Sequence, residues 1–165
     1  MAKLGLETSV VNKSIMGKTA KRFKERGIRL LTFEELSEPS KIPGDIIKKL
    51  QKIGPNDAHP LNLYRINWYN DPDTRSFREV PCYFEVPKAI TGAEAKIVII
   101  PGAFFPMVQC HKVLAAYGCL APRLVTGQFD PTTHKAIWPS TGNYCRGGVA
   151  VSRIIDCHGV AILPE

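Results

Sequence analysis

The sequence predicts an α/β protein with parallel strands. Strand and helix patterns alternate from residue 95 to residue 163, in the order strand, helix, strand, helix, strand. The first strand is the unbroken β-branched run AKIVII, which Pro101 and Gly102 end. Parallel strands that are joined by helices have both faces of their sheet covered, so we expect these strands to be buried.

Residues 1–80 predict a helical and irregular N-terminal extension. Helices are expected over 14–27, 32–37 and 44–53. Ser14 is the expected cap of the first helix, and Gly27 and Gly54 are the expected stops of the first and third. The remaining stretch, up to residue 80, is rich in Pro, Asn and Asp, which favours an irregular segment.

Residues 81–165 predict the α/β unit itself. Short strands are expected over 78–87, 95–100, 135–140 and 159–163, and helices over 107–120 and 143–159. The first of these helices should end at Ala121-Pro122, because a proline disfavours helical backbone in the residue before it. Gly159 is the expected stop of the second helix, and the strand after it is expected to be buried.

The net charge of +7 is concentrated in residues 1–54, which contain twelve Lys and Arg against six Asp and Glu. A basic segment can bind nucleic acid or an anionic surface. Aromatic side chains that stack on bases are sparse there, so we favour a solvated helical arm and do not expect a nucleic-acid partner. A basic binding module that uses this segment is kept as an alternative.

The composition also argues against several other classes of protein. No apolar run reaches the roughly 18 residues of a membrane span, and the N-terminus has no apolar stretch typical of a secretory signal. Five cysteines at irregular spacing, with no Cys-x-x-Cys pair, argue against a disulfide framework and a metal site. We therefore expect a cytoplasmic protein with neither a membrane partner nor a bound metal.

The loop predicted between the strand at 135–140 and the next helix carries Ser140, Thr141, Gly142 and Asn143. Two hydroxyls, an amide and the unpaired N–H groups of a helix start form a receptor for a carboxylate or a phosphate. The glycine lets a ligand approach the main chain closely. An ordinary N-cap with turn residues is the alternative, since Ser, Thr and Asn are the usual choices there.

Lys112 lies among mostly apolar neighbours in MVQCHKVLAAYGCL. A desolvated amine has a lowered pKa and can form a Schiff base with a carbonyl compound. The alternative is a lysine near a helix end that extends into solvent. We expect structural roles for His111, Cys110 and Cys145.

Taken together, these features resemble the fold-type II enzymes that use pyridoxal 5'-phosphate, such as cysteine synthase and the tryptophan synthase β-subunit. Pro139 and the four loop residues are similar to the Pro-Thr-Ser-Gly-Asn loop of that family, and Lys112 lies 31 residues before Asn143. The final GVAILPE is similar to the strand that follows the loop helix in those enzymes. The resemblance covers residues 95–165, and about 20–165 for a divergent, cysteine-synthase-like bacterial branch.

The resemblance implies a three-layer, tryptophan-synthase-β-like fold and a β-elimination or β-replacement on an amino acid. It makes Lys112 the Schiff-base lysine and proton shuttle, and it assigns Ser140, Thr141, Gly142 and Asn143 to the substrate carboxylate. It also places Asn143 beside the cofactor. The chain departs from the family at Cys-His-Lys-Val-Leu around the lysine and at Tyr144-Cys145 after the loop, which leaves the substrate open.

No glycine-rich loop for the cofactor phosphate follows the lysine, so we expect the N-terminal portion of a longer enzyme that is homodimeric when complete. On this interpretation the fold is incomplete. Apolar side chains near 97–100 and 160–163 should then lack cover and favour self-association. A non-catalytic half-domain that assembles with a complementary chain is the alternative.

Overall fold

The computed structural model describes residues 8–163, which form a mixed α/β structure. The helices are α1 (Lys13–Glu25), α2 (Phe33–Ser37), α3 (Gly44–Leu50), α4 (Lys88–Thr91), α5 (Lys112–Val125) and α6 (Asn143–Ile154). The strands are β1 (Phe84–Val86), β2 (Ile97–Ile99), β3 (Lys135–Pro139) and β4 (His158–Ile162). Short 3-10 segments occur at Pro39–Lys41, Pro60–Arg65 and Gly102–Phe104.

The three predicted N-terminal helices are confirmed, with one change of cap. Asn12, and not Ser14, caps α1, because its side-chain oxygen accepts from the N–H groups of Ser14 and Ile15 at 3.0 and 3.1 Å. Gly27 follows the helix with a φ of +64°, a conformation that favours glycine. The third helix is shorter than predicted and ends at Leu50.

A single hydrophobic core joins the N-terminal helices to α5 and α6. Its centre includes Tyr117, whose hydroxyl donates to the carbonyl of Leu31 and accepts from the N–H of Leu31, both at 2.7 Å. Burial raises the pKa of Tyr117 above its ordinary value of 10.0. Residues before and after position 80 thus share one core, and the N-terminal part is more than a solvated arm.

The predicted strand-helix-strand unit is confirmed for β3, α6 and β4. The two strands pair in parallel, with the register running from Lys135 opposite His158 to Pro139 opposite Ile162. Trp138 of β3 packs on α6 and donates from its indole to the Ser152 hydroxyl at 3.0 Å.

The prediction that residues 95–100 form a buried strand of this sheet is wrong. β2 pairs antiparallel with β1, and the two form a separate two-stranded sheet. All three residues of β2 are exposed, as is Ile100. An unbroken β-branched run specifies extended backbone, but it does not specify what covers the strand.

Two further boundaries differ from the predicted ones. Helix α5 continues through Pro122 to Val125, whereas a break was predicted there. Leu120, Ala121 and Leu124 around this proline are buried in the core, and their packing offsets the hydrogen bond that Pro122 cannot donate to the Gly118 carbonyl. Helix α6 ends at Ile154, ahead of the predicted stop at Gly159, and Asp156 follows with a φ of +56°.

The strand β4 is more exposed than predicted. Ile162 is 50% exposed and Leu163, just after the strand, is 62% exposed. The expectation that apolar side chains lack cover near 97–100 and 160–163 is confirmed for these two residues and for β2. Among residues 8–163, no helix is both long and apolar enough to cross a membrane.

The Tyr117 hydrogen bonds generate a prediction about stability and pH. Replacing Tyr117 by Phe should lower the free energy of unfolding by about 1–3 kcal/mol, because both Leu31 backbone groups lose a buried partner. The pKa of Tyr117 is higher in the folded state than in the unfolded state, so its contribution is complete below about pH 10 and is lost as the pH rises. Urea unfolding measured across the alkaline range checks both effects.

Tyr83→Phe is the matched control, because Tyr83 is 54% exposed. It should leave the neutral-pH stability close to that of the wild type. The alkaline loss of stability should be steeper in wild type and Tyr83→Phe than in Tyr117→Phe. Identical alkaline slopes for all three proteins would contradict the assignment of the titrating group to Tyr117.

Candidate functional site

The loop Ser140–Asn143 lies between β3 and α6, as the sequence predicts. Backbone pairing with β4 extends into it, since the N–H of Ser140 donates to the Ile162 carbonyl at 3.3 Å. The N–H of Gly142 donates to the Ser140 hydroxyl at 3.3 Å. These bonds hold the loop at the end of the parallel sheet where its strands finish, which is where open α/β sheets bind ligands.

The first turn of α6 has no side-chain cap. Gly142 occupies the N-cap position, and no hydroxyl or amide accepts from the turn. Asn143 accepts from the guanidinium of Arg146 through Oδ1 at 3.1 Å, so it does not cap the helix either. The backbone N–H groups of Asn143, Tyr144 and Cys145 therefore donate to no acceptor among residues 8–163.

The start of α6 does not have the hydrogen bonds of an ordinary N-cap. An ordinary N-cap would use Ser140, Thr141 or Asn143 as an acceptor for the α6 N–H groups, and none of them does so. The N–H groups and the exposed Thr141 hydroxyl are instead available to a bound anion. The helix dipole adds a partial positive charge at the same place.

Lys112 is the first residue of α5, and its side chain is exposed. The expectation that apolar neighbours partly surround it is wrong, because at a helix start they point to other sides of the chain. His111, just before it, stacks on Trp68 with ring centroids 5.5 Å apart. Cys110 lies 4.0 Å from the His111 ring and is partly exposed, while Cys145 is buried in the core.

The helices α5 and α6 meet where Gly147 lies against the backbone of Lys112. A Cβ atom added at Gly147 would be 2.7 Å from both the carbonyl carbon and the carbonyl oxygen of Lys112. Contacts that short do not occur, so only glycine permits this approach. It places Lys112 about one helical turn along α6 from Asn143.

A cleft of about 530 Å³ runs along α6 beside β4. Thr141 and Gly142 line one end of it, and the guanidinium-bearing residues Arg146 and Arg153 lie further along the helix. Most of the remaining lining is apolar, from Met107, Val108, Cys145, Val149, Ala150, Ala161 and Leu163. Neither Lys112 nor Asn143 lines this cleft.

Sequence reasoning missed the two arginines of the cleft. Arg146 and Arg153 are seven residues apart, a spacing that places both on one side of a helix. That spacing was a usable signal. The cleft combines two cations with an apolar surface, which suits an anion that carries an apolar group.

On another side of α6, Tyr144 attaches this helix to α5. Its hydroxyl donates to the Cys119 thiol at 3.3 Å, and its ring meets Trp138 edge-on at 5.6 Å. Burial, followed by the Cys119 contact, raises the pKa of Tyr144 to about 12. The residues that depart from the family pattern after the loop, Tyr144 and Cys145, thus both pack inward.

Comparison with known proteins identifies no relative that would assign a function to this site. No family model matches the chain, and no significant match is found among curated proteins or solved structures. The resemblance in the loop and around Lys112 therefore stays a hypothesis. The function proposed for the chain rests on its own residues.

The contact between Gly147 and Lys112 generates a prediction about stability. Gly147→Ala should lower the free energy of unfolding by about 1–3 kcal/mol, because the added methyl group meets rigid backbone. Gly17→Ala is the control, since Gly17 lies in α1 with nothing within 4 Å of an added Cβ. It should stabilise the protein by about 0.5–1 kcal/mol. Urea unfolding at equilibrium measures both, and equal effects would contradict the close approach of the helices.

Proposed function

We propose that this chain acts with pyridoxal 5'-phosphate on an amino acid, in a β-elimination or a β-replacement. The observation that carries the proposal is the contact at Gly147, which brings the Lys112 backbone close to the uncapped start of α6. The backbone of Lys112 and the anion receptor thereby lie near each other although Lys112 and Asn143 are 31 residues apart in the sequence. The exposed lysine side chain would extend its amine toward that receptor. A reaction at the α-carbon of an amino acid needs both groups.

The loop would bind the α-carboxylate of the substrate. Unpaired N–H groups at the start of α6 and the exposed Thr141 hydroxyl supply donors, and the helix dipole favours a negative charge there. Arg146 adds a full positive charge one turn into the helix. Ser140 and Gly142 shape the approach, because Ser140 accepts from the Gly142 N–H and keeps the loop closed on itself.

Lys112 would hold the cofactor through its amine, and Asn143 would contact it. The residues fit this role in their chemistry: the amine is exposed and reachable, and the Asn143 amide nitrogen stays free to donate while Oδ1 binds Arg146. Pyridoxal phosphate, when bound, supplies an electron sink for charge at the α-carbon. The Lys112 amine would move the proton at that carbon.

The cleft along α6 would accept the rest of the substrate. Its apolar lining excludes water from part of the site, and Arg146 with Arg153 attracts anionic amino acids or anionic second substrates. The five cysteines are free thiols, so we extend the proposal to a reducing, cytoplasmic location.

The cofactor proposal predicts which lysine is labelled. The full chain, incubated with a small excess of pyridoxal phosphate and reduced with borohydride, should carry the label at Lys112. Lys112→Ala should lose most of the label. Lys135→Ala is the control, since Lys135 is also exposed but lies in β3, away from the Gly147 contact. Peptide mass mapping measures the labelled fraction at each position.

Two outcomes would contradict the assignment. Label spread over many exposed lysines would indicate surface chemistry without a site. Label that is retained in Lys112→Ala and lost in Lys135→Ala would show that the wrong lysine was assigned. Adding an amino acid before reduction should lower the label at Lys112 if the loop binds its carboxylate close by.

A second candidate function, assembly with a further polypeptide such as a second copy, is favoured by the exposed hairpin of β1 and β2. Four consecutive apolar residues, Ile97 to Ile100, are 38–48% exposed. Phe84 on the paired strand and Tyr83, just before it, are each more than half exposed. Apolar patches of this kind mark interaction surfaces in soluble proteins.

Assembly predicts a concentration-dependent association that Val98→Lys weakens. A lysine in the middle of β2 places a charge in the apolar surface, so the dissociation constant should rise by at least tenfold. Val125→Lys is the matched control, because Val125 is 53% exposed at the end of α5, outside the hairpin. Sedimentation velocity over a range of concentrations measures both. A wild-type chain that stays monomeric at high concentration would contradict this candidate.

A further inference from the structure

A second cavity, of about 310 Å³, lies apart from the loop and from Lys112. It is enclosed by three stretches of chain: residues 55–56, 65–76 and 103–109. None of the residues proposed above for cofactor or substrate lines it. A ligand in this cavity would therefore bind independently of the proposed cofactor and substrate.

Arg65 places a positive charge in the wall of this cavity. Its side chain is 3% exposed, and its donors bind the carbonyls of Leu50, Ile53 and Arg75 and the side-chain oxygen of Asn62. No carboxylate among residues 8–163 lies within 4.0 Å of the guanidinium. Burial lowers the pKa of Arg65, and the neighbouring charge of Arg75 lowers it further, while the more distant carboxylate of Asp57 offsets only part of this effect.

A structural role explains the hydrogen bonds of Arg65 but leaves its charge with no carboxylate in direct contact among residues 8–163. The carbonyls of Leu50 and Ile53 belong to the end of α3, so the guanidinium caps that helix. The neutral carbonyls accept hydrogen bonds from the Arg65 guanidinium, but they do not neutralise its positive charge. A buried cation needs an opposite charge nearby, since isolated charges are costly to bury.

Arg75 lines the same cavity, so the cavity wall contains two arginines. The acid in the wall, Asp71, does not compensate them, because its oxygens accept from Thr74 at 2.7 Å and from Arg78 at 3.0 Å. Those contacts, the Thr74 bond first, lower the pKa of Asp71 and keep it ionised toward Arg78. The cavity is therefore positive on this side.

The opposite wall is apolar and held in place. Ala103, Phe104 and Phe105 line it, and the ring of Phe105 packs edge-on against Trp68 at 4.9 Å. The neutral polar groups of Asn56, Ser76 and Gln109 lie around the rim.

The backbone around the cavity adopts uncommon conformations. Arg75 and Gln109, which both line it, have φ values of +54° and +52°. Non-glycine residues adopt such values at a cost, and they persist where the surrounding structure fixes them, often at ligand sites. The two loops thus present their side chains in a preformed arrangement.

We propose that this cavity binds a small organic anion: an oxyanion, carboxylate or phosphate, on an apolar or aromatic body. The oxygens would accept from the guanidinium of Arg75, whose planar geometry suits them. Arg65 would add its buried positive charge behind them, because its terminal N–H groups already bind protein oxygens. The apolar body would lie against Phe104 and Phe105. The volume suits a ligand about the size of one substituted ring.

Titration calorimetry on the full chain, with benzoate and phenyl phosphate as probes and benzamide as the neutral analogue, tests this site. At least one anionic probe should bind, and Arg75→Gln should weaken it by at least tenfold. Lys24→Gln is the charge control, because Lys24 is exposed in α1 and lines neither this cavity nor the cleft along α6. Arg146→Gln reports any binding of the probe in the cleft along α6. Lys112→Ala should bind the probe like the wild type, so a failed cofactor assignment and a failed anion site give different results.

A second measurement makes the test independent of how well the variants fold. In ¹⁵N-labelled wild-type protein, the probe should shift the amide signals of Ser76 and Gln109 and leave those of Lys21 and Lys24 in α1 unchanged. The inference is overturned if benzamide binds as tightly as the anions, if Arg75→Gln binds like the wild type, or if Arg146→Gln alone loses binding.

Discussion

The fold depends on the close approach that two adjacent glycines allow on α6. Gly147 lies against the backbone of Lys112, and a Cβ at Gly148 would be 2.0 Å from the ring of Trp138. The backbone of α6 therefore lies directly against the backbone of α5 on one side and against the Trp138 ring of β3 on another. This double contact fixes the position of α6. It thereby positions the loop before α6, the cleft beside it and the start of α5.

Charge pairs connect the basic N-terminal part to this centre. Arg22 and Arg26 of the first helical region both contact the carboxylate of Asp156, just after α6, at 2.6 and 2.5 Å. Such partly exposed pairs contribute little each, so the shared core supplies most of the attachment. Their main effect is to neutralise part of the charge that suggested an anionic partner.

Sequence patterns predicted what is local and missed what is set by distant contacts. The strands and helix from 135 to 162 were predictable because β-branched and small residues, turn residues and helix spacing agree there. The exposure of β2 was not predictable, because residues 95–100 have the same sequence pattern whether or not another layer of structure covers them. Pro122 stays helical because the residues around it pack in the core, which its local sequence does not show. The cavity around Arg65 is formed by residues up to about fifty positions apart. The uncapped start of α6 needed atomic geometry, because Ser140, Thr141 and Asn143 suit either role.

The exposed hairpin of β1 and β2 also determines how the chain comes apart. A two-stranded sheet with no covering layer is marginally stable in water, so its hydrogen bonds open at a much lower free energy than those of the core. Amide protons of the hairpin should therefore exchange through local opening. Those of α5 and α6 should exchange when the whole protein unfolds. A protease therefore cuts between about 80 and 101 first, and the two pieces stay associated, because the core that joins α1 to α5 and α6 does not include the hairpin.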